Sequence, residues 1–305
     1  DGLGTITYQW YRDGQPIVLG GTLKDGVGGV DGLDSVWGLT LSADGNHAYV
    51  VGGTDNAVSW YERNASTGAL TYGGMLKDSV NGVDGLTGPR NVRLSADGSH
   101  AYVVGHGPDN AVSWYDRNAS TGALAFGGVL KDGVNGVDGL ASAFDVTLSA
   151  DGLHAYIVGN ADWSVSWYER NASTGALSYL GIIKDGQNGV DGLAASRNIT
   201  LSADGKHIYI TAQTDDAVSW YERNATTGAL SYLGMLKDGV DGVDGLDWAN
   251  DVVISSEGNH AYITGTNDQT VGWYERNATT GALSYGGMLK DGVGGVDGLA
   301  GARQV

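Results

Sequence analysis

The sequence predicts an all-β fold, a β-propeller of four-stranded antiparallel blades, and three observations lead to this prediction. First, one segment recurs in steps of 53 or 54 residues, and its LSADG element begins at Leu41, Leu94, Leu148 and Leu201, with the variant ISSEG at Ile254. Repeats of this length are typical of solenoids, propellers and arrays. Second, every repeat holds four short segments rich in Val, Trp and Tyr between turn residues, which indicates strands. Third, the chain has 52 glycines and no helical periodicity, which argues against helical repeats.

The first complete repeat shows how four strands fit into this length. The first predicted strand is an apolar segment that includes Leu39–Leu41, and the next three are His47–Val51, Ala57–Tyr61 and Ala69–Leu76. We name the four strands A to D from the axis outward. The Asp-Gly pair between A and B tolerates positive φ, as a hairpin turn requires. The repeated SWYER element of strand C is interpreted as packing between blades, because side chains alternate between the two faces of a strand.

The chain is predicted to form a single domain, residues 1–305, of six blades. Five are complete, at residues 34–86, 87–140, 141–193, 194–246 and 247–299. The sixth is a composite, in which Ile6–Tyr11 and Pro16–Leu23 within residues 1–33 supply strands C and D, and residues 300–305 begin strand A. This blade lacks strand B. Three alternatives follow: the natural chain continues beyond Val305, another chain supplies the strand by self-association, or the blade is incomplete.

Charge and composition exclude several classes of partner and site. The chain carries 17 basic and 35 acidic residues, a net charge of -18. Such an excess repels phosphate backbones, so we expect no nucleic-acid partner. No apolar run reaches the roughly 18 residues of a membrane helix, so no membrane insertion is expected. The absence of cysteine excludes disulfides, thiolate metal ligands and a cysteine nucleophile.

The N-terminal segment Gly4–Ile17, GTITYQWYRDGQPI, resembles strands of the bacterial Ig-like repeats of large adhesins. The resemblance implies a long, multi-domain surface protein. We therefore expect a bacterial extracellular or cell-surface location. The present residues are interpreted as a processed product or as a piece of something longer.

The repeat itself resembles a known family. The elements LSADGxHAYVVG, DNAVSWYERN and TGALxYxGxLKDGVxGVDGL are similar to bacterial β-propeller repeats grouped as lactonase-type and YncE-like propellers. The resemblance covers nearly the whole chain and implies the propeller fold. Enzymatic members of the lactonase group hydrolyse a sugar lactone at the central channel and tend to have seven blades. Their catalytic residues do not map onto positions of this chain.

The repeats differ from one another chiefly where strand A begins. The first variable position holds Trp37, Arg90, Phe144, Arg197, Asn250 and Arg303, and the next holds Asp145 and Asp251 in two repeats. Strand A lines the axis and the B–C loops open on the same face. His106 and Trp163 from these loops, with Trp248 from a connector, are therefore predicted to complete a rim at one channel mouth. Such a rim suits a small anion, a glycan or a peptide, and sequence drift on an exposed face is the alternative.

Repeated carboxylates and histidines have structural as well as functional explanations. Each connector between blades carries two Asp residues six positions apart on a Gly-rich loop, which can hold Ca²⁺. The richest connector contains Asp238, Asp241, Asp244 and Asp247. The alternative is that Asp and Gly only form turns. The five histidines that open strand B lie too far apart to bind one metal and are interpreted as structural; they are His47, His100, His154, His207 and His260.

Three functions are consistent with these features. The favoured hypothesis is a non-enzymatic interaction module that binds a protein, peptide or glycan partner at the rim, because no asymmetric catalytic set is visible. The alternative is a lactonase-like hydrolase in which Arg90 and Arg197 bind an anionic substrate and Asp145 or His106 acts as the base. The third is a structural subunit of an extracellular fibre or layer, joined at the incomplete blade. No cofactor other than calcium is expected.

Overall fold

The chain is all β wherever the structure describes it. This computed structural model covers the backbone of residues 11–12 and 15–16 and the continuous stretch 21–304. These residues form 22 strands, arranged as five four-stranded antiparallel sheets and one two-stranded hairpin. In the same ranges there is no helix of the length and apolar character needed to cross a membrane.

The strands follow the repeat in order. The hairpin consists of β1 (Tyr11–Arg12) and β2 (Gln15–Pro16). Blade 1 consists of β3 (Val36–Leu41), β4 (His47–Gly52), β5 (Ala57–Arg63) and β6 (Leu70–Lys77). Blade 2 consists of β7 (Pro89–Leu94), β8 (His100–Gly105), β9 (Ala111–Arg117) and β10 (Leu124–Lys131). Blade 3 consists of β11 (Ala143–Leu148), β12 (His154–Gly159), β13 (Ser164–Arg170) and β14 (Leu177–Lys184). Blade 4 consists of β15 (Ser196–Leu201), β16 (His207–Ala212), β17 (Ala217–Arg223) and β18 (Leu230–Lys237). Blade 5 consists of β19 (Ala249–Ile254), β20 (His260–Gly265), β21 (Thr270–Arg276) and β22 (Leu283–Lys290).

Each sheet is one blade of a propeller. Its four strands pair in sequence order, A with B, B with C and C with D. The innermost strands β3, β7, β11, β15 and β19 contact one another in succession, so they surround a common axis. The predicted β-propeller is therefore confirmed. Strand A begins at Val36, one residue before the predicted start at Trp37 and directly after Ser35, whose φ of 57° ends the connector.

Neighbouring blades pack face to face through apolar side chains. Between blades 2 and 3, Tyr102 and Trp114 of one blade lie against Val146, Ile157 and Tyr168 of the next. Trp114 is only 8% exposed and the other four are fully buried. Trp114 and Tyr168 belong to the SWYER elements of adjacent blades. Their burial confirms that this element forms the contact between blades, as the alternation of side chains predicts.

A buried hydrogen-bond network of one Arg, one His and one Tyr side chain, here called the bracket, also connects these blades. Between blades 2 and 3, Arg170 Nε donates to the Tyr102 hydroxyl at 2.6 Å and Arg170 Nη2 donates to His100 Nδ1 at 2.8 Å. The Tyr102 hydroxyl in turn donates to the Gly175 carbonyl at 2.8 Å. The bracket recurs between the other described blade pairs as Arg117 with His47 and Tyr49, Arg223 with His154 and Tyr156, and Arg276 with His207 and Tyr209.

The bracket fixes the protonation state of its histidine. A guanidinium has no acceptor atom, so His100 Nδ1 must accept the hydrogen bond from Arg170 and the imidazole is neutral. Burial lowers the pKa of His100, and the charge of Arg170 lowers it further. The histidines of the first four blades are therefore structural groups that contact the next blade, as the sequence predicts.

The last interface differs from the others. On the face of blade 5 that points away from blade 4, Tyr262 and Trp273 are each 38% exposed. Their counterparts in blade 2, Tyr102 and Trp114, are 0% and 8% exposed. On the face of blade 1 that points away from blade 2, Leu39 is 55% exposed. Ala48, Val50 and Tyr61 on the same face of blade 1 are buried and pack against Leu23 and Leu33, so only part of that face is open to a further blade.

The predicted composite blade is described only in part. Most of the predicted strands Ile6–Tyr11 and Pro16–Leu23 lies outside the described residues, and the hairpin of β1 and β2 shows a much shorter pairing, while residues 21–23 are not in a strand. Residues 300–304 are not in a strand either. They do occupy the place where strand A of another blade would begin, because Thr266 Oγ1 donates to the Ala302 carbonyl at 2.9 Å, as Asn160 Nδ2 does to the Ser196 carbonyl. The count of six blades stays a prediction.

Blade 5 also lacks one repeated hydrogen bond. In blade 4 the Tyr221 hydroxyl lies 3.2 Å from Ser219 Oγ, but blade 5 has Gly272 at the serine position. The Tyr274 hydroxyl is therefore buried without a partner among the described residues.

Replacing Gly272 with serine is expected to stabilise the fold. The new hydroxyl would satisfy Tyr274, and removal of a strand glycine would lower the entropy of the unfolded chain, together worth about 1 to 2 kcal/mol. A Cβ at residue 272 would lie 3.0 Å from the Tyr274 hydroxyl, so the ring must shift slightly. Urea denaturation should show the gain, and the reverse change Ser219→Gly should lower the free energy of unfolding by a similar amount. If Gly272→Ser left the free energy of unfolding unchanged while Ser219→Gly lowered it, this explanation would be contradicted.

Candidate functional site

A β-bulge at the start of each strand A places one side chain at the mouth of the channel. In blade 2 the pairing of strands A and B skips Arg90, and equivalent shifts skip Trp37, Phe144 and Arg197. In blade 5 the shift covers Asn250 and Asp251 together. An extra residue kinks a strand and turns its side chain out of the regular alternation. The variable residues of the sequence therefore occupy the positions whose side chains leave the sheet.

These side chains line one cavity of about 1260 Å³. All the residues predicted for the rim except Trp163 contribute to it, namely Trp37, Arg90, His106, Phe144, Asp145, Arg197, Trp248, Asn250, Asp251 and Arg303. A second cavity of about 550 Å³ extends to the A–B turns at the other end of the A strands, and it shares four residues with the first, Arg93, Asn198, Asp251 and Gln304. The two cavities follow the axis, so the site lies at one end of a central channel.

Trp163 lies outside the cavity. It is the last residue before strand C, with φ of 52°, and its carbonyl accepts a hydrogen bond from Asp185 N in the following connector at 2.9 Å. At the equivalent position of blade 2, Asn110 uses its side chain to accept a hydrogen bond from Ser142 N in the following connector. This position belongs to the contact between loop and connector, which explains why the predicted rim role of Trp163 is wrong in geometry.

Aromatic rings and guanidinium groups stack at the mouth. The Arg90 guanidinium carbon lies 3.8 Å from the ring centroid of Trp37 and 5.7 Å from that of Phe144. The Arg197 guanidinium carbon lies 4.5 Å from the centroid of Phe144. Phe144 thus separates two cations whose charges repel each other. Cation–π contacts hold a guanidinium in place and leave its N–H edge free to donate.

Arg90 has donors that the described residues do not use. Its Nε and Nη1 are buried and without a hydrogen-bond partner among the described residues, and burial lowers its pKa. By contrast, Arg197 Nε donates to Gln213 Oε1. An arginine donor that loses water without gaining an acceptor is costly. The Nε and Nη1 groups of Arg90 are therefore available to donate to an acceptor that enters the cavity.

Among the titratable side chains that line the cavity, His106 is the best suited to act as a general base. It lies on the B–C loop of blade 2, where its backbone N–H donates to the Gly88 carbonyl at 3.1 Å. Gly88 has φ of 59°, and the same positive φ and the same hydrogen bond recur in the other blades at Ser35, Ser142, Ala195 and Trp248, so this loop geometry belongs to the repeat. Burial lowers the pKa of His106, and the charges of Arg90 and Arg197 lower it further. His106 is consequently neutral, and able to accept a proton, at neutral pH.

Asp145 is unsuited to the role of base. It is only 2% exposed, and each of its carboxylate oxygens accepts hydrogen bonds from main-chain or side-chain N–H groups. Burial raises its pKa, while Arg93, whose Nη2 lies 3.7 Å from Asp145 Oδ1, opposes that rise. Because its lone pairs are occupied, the sequence-based suggestion of Asp145 as base is not supported by this geometry. Arg93 was missed, although it stands where the other repeats have threonine or valine.

The carboxylates of the connectors gather differently from the predicted set. Asp238 and Asp244 join Asp268 of the B–C loop, with ligand atoms within 4.8 Å of one another, and among the described residues equivalent groups form at four of the other five connectors, all except that of Asp291 and Asp297. Asp241 lies outside the group, in a turn with φ of 51°. Asp247 also lies outside, and its backbone N–H donates to Asp268 Oδ2 at 3.0 Å. The predicted set of four is therefore wrong, because the third carboxylate comes from another loop.

A lysine already contacts these carboxylate groups. In the group of Asp78, Asp84 and Asp109, Lys131 Nζ donates to Asp84 at 2.7 Å and to Asp109 at 2.9 Å. Asp78 Oδ1 accepts a hydrogen bond from Leu86 N at 3.0 Å. The ammonium group and the backbone donors account for the clustering of negative charge. Calcium binding stays a prediction.

The family of the chain follows from comparison with known proteins. The sequence matches the family described as "Lactonase, 7-bladed beta-propeller" over residues 38–133 and 145–288, which is most of its length. The chain belongs to this lactonase family. Two uncharacterized proteins of Staphylococcus epidermidis are 30% identical to the present lactonase-family chain over 195 residues, covering 63% of it. The chain spans about half the length of these relatives, 52% in each case.

Solved structures share the fold of this lactonase-family chain. A protein from Lactobacillus plantarum has a TM-score of 0.68 at 20% identity, covering 82% of this chain and 70% of its own. The periplasmic gluconolactonase PpgL of Pseudomonas aeruginosa has a TM-score of 0.66 at 18% identity, covering 84% of this chain and 70% of its own. At such identities the likeness shows the propeller fold alone.

Family membership corrects the favoured functional hypothesis. The interpretation as a non-enzymatic interaction module is contradicted by the match to the lactonase family, which supports the hydrolase alternative instead. The uniform repeats concealed the asymmetry of the site. The side chains that differ come chiefly from the bulge of strand A, the residues beside it and the adjacent loops, so the chemical differences occupy few positions among many identical ones.

Proposed function

We propose that the chain is a lactonase that hydrolyses an anionic sugar lactone at the channel mouth. The observation that supports this most directly is the buried, unpartnered donor edge of Arg90 in the same cavity as Arg197 and His106. Guanidinium groups bind carboxylate and phosphate with paired, charge-assisted hydrogen bonds. Membership in the lactonase family supplies the class of reaction.

The chemistry requires one base and one group that stabilises negative charge. Neutral His106 takes a proton from water as the water oxygen bonds to the carbonyl carbon of the lactone. The carbonyl oxygen becomes an oxyanion, which an arginine of the mouth stabilises. When the carbonyl re-forms, the bond to the ring oxygen breaks and that oxygen takes the proton from the imidazolium. Lactone and water thus give the open hydroxy acid, and His106 is neutral again.

Local charge at the mouth favours an anion despite the overall charge of -18. The cavity is lined by four arginines, Arg90, Arg93, Arg197 and Arg303, against two aspartates, Asp145 and Asp251, a local excess of two positive charges. Exposed charges farther away than a Debye length, about 8 Å at physiological ionic strength, are largely screened. The arginines therefore dominate the potential that a small substrate meets.

Turnover of a lactone panel tests the proposal. The protein should hydrolyse a sugar lactone that carries a carboxylate or phosphate above the buffer rate. Arg90→Met should raise the KM for that lactone about tenfold to a hundredfold, which corresponds to the loss of one charged hydrogen-bonding group. The KM for a neutral lactone should change little.

Arg63→Met is the matched control. Arg63 lies at the end of strand C that is opposite the mouth, and it donates to the Gly45 carbonyl at 2.9 Å. It should leave both KM values unchanged. Hydrolysis of every lactone at the buffer rate would refute the proposed function. Equal KM changes for charged and neutral substrates in Arg90→Met would refute the role of Arg90.

An extracellular bacterial location accompanies this proposal. It is supported by the resemblance of the segment Gly4–Ile17 to adhesin repeats. Fractionation of the native host, with detection of the chain outside the cytoplasmic membrane, would test it.

A further inference from the structure

A polar connection between three blades near the axis centres on Asp145. Its Oδ1 accepts hydrogen bonds from Asn91 Nδ2 in blade 2 and from Val146 N at 2.8 Å. Its Oδ2 accepts hydrogen bonds from Asn198 Nδ2 at 3.0 Å and Ile199 N at 3.2 Å in blade 4. One carboxylate of blade 3 therefore joins the A strands of three blades. We call Asn91, Asp145 and Asn198 the Asp145 clamp.

Every member of the clamp directly follows a bulged residue of the mouth. The three pairs are Arg90–Asn91, Phe144–Asp145 and Arg197–Asn198. Neighbouring Cα atoms are about 3.8 Å apart and are joined by a planar peptide, so a displacement of one member moves the next. The clamp thus acts on the backbone that carries the stacked rings and guanidinium groups.

The polar contacts of the clamp continue into blade 5, where Val252 N donates to Asn198 Oδ1 at 3.4 Å and the buried Asp251 occupies the position of Asp145. Blade 1 has Gly38 at the position of Asp145, which has no side chain to contribute. Arg93, the only arginine at its strand position among the five blades, lies 3.7 Å from Asp145 Oδ1 and balances the buried charge. A buried carboxylate is costly unless it is paired and hydrogen-bonded. Asp145 is both ion-paired and hydrogen-bonded, so its contacts offset the cost of burying the carboxylate.

We infer that Asp145 is a positioning residue, which holds the A strands of blades 2, 3 and 4 so that Arg90, Phe144 and Arg197 face the cavity together. This inference deepens the proposed function and rests on it for the identity of the substrate. The arrangement of the arginines does not depend on the substrate. It can be measured without turnover.

The pKa of His106 reports the position of the two arginines. Both guanidinium charges lower it in the folded protein. In Asp145→Asn, the new amide N–H₂ faces the N–H₂ of Asn91 or Asn198, donor against donor, and the clamp opens. If the arginines then move away, the pKa of His106 rises toward that of an unperturbed histidine. Loss of the negative charge of Asp145 without movement of the arginines would instead lower the pKa of His106. The direction of the pKa change therefore shows whether the arginines have moved.

NMR titration of the imidazole signals, with His106 assigned by its absence in His106→Gln, is the experiment. We expect a raised His106 pKa in Asp145→Asn and a smaller rise in Asn91→Ala, which removes one arm of the clamp and leaves the carboxylate in place. The double variant Asp145→Asn with Asn198→Asp restores a donor facing an acceptor and should return the pKa toward that of the unchanged protein. An unchanged or lowered pKa in both single variants would overturn the inference.

Kinetics separates this inference from the proposed function. With an anionic lactone, Asp145→Asn should raise KM about tenfold and change kcat much less, since His106 remains. A raised His106 pKa in a protein that hydrolyses no lactone would refute the proposed function and support the clamp. Normal hydrolysis with an unchanged KM and an unchanged His106 pKa would refute the clamp and support the lactonase.

Discussion

Arg170→Ala is expected to lower the free energy of unfolding by about 3 kcal/mol, because it removes the central member of a buried bracket. The side chain of Arg170 is 1% exposed and donates to Tyr102, His100 and the Gly152 carbonyl. A hydrogen bond from a charged donor contributes about 1.5 to 3 kcal/mol, and such losses within one network are not additive. The ion pair with Asp97 adds little, because that carboxylate is 46% exposed and exposed ion pairs contribute little to stability.

The matched control for this prediction is Arg63→Ala in blade 1. Arg63 occupies the same strand position, but among the described residues its side chain makes only the turn hydrogen bond to the Gly45 carbonyl. We expect a loss of about 1 kcal/mol or less. Urea or thermal denaturation of both variants at pH 7 provides the measurement. Equal destabilisation by the two substitutions would show that the bracket adds nothing beyond the turn contact.

The repeat made the blades predictable, and the brackets explain why. Each strand pattern recurs with the same turn residues, so one correct prediction of β4 (His47–Gly52) applies to every blade. His100 is identifiable as structural because a single metal cannot collect groups one blade apart. Its partner Arg170 lies 70 positions away in sequence, and no local pattern connects them. Contacts between blades therefore required coordinates.

The mouth was predictable in position but not in chemistry. Sequence variation marked Arg90, Phe144 and Arg197 because the rest of strand A is uniform. It could not show that a bulge turns these side chains together, since bulges have no fixed sequence pattern. Nor could it separate His106, which faces the cavity, from Asp145, whose oxygens are occupied. The two had been equal candidates for the base, and only burial and hydrogen bonding distinguish them.

His106→Gln is expected to lower kcat/KM for the substrate lactone by about a hundredfold to ten-thousandfold, the usual contribution of a general base. Glutamine keeps a polar side chain of similar reach and cannot take up a proton at neutral pH. The KM should change little, because Arg90 and Arg197 still bind the anionic group. The residual rate should be that of a site that orients water without accepting its proton.

The pH dependence of kcat/KM distinguishes this role from a structural one. Burial, Arg90 and Arg197 hold the pKa of His106 below its ordinary value of 6.5. The base is active when neutral, so the rate should be constant above that value and fall as the pH decreases through the pKa of His106 in the free enzyme. His106→Gln should lose this acidic limb along with the activity. A variant that keeps the limb would assign it to another group and remove His106 from the mechanism. Such a result would leave the arginines to stabilise a reaction whose base lies elsewhere in the cavity.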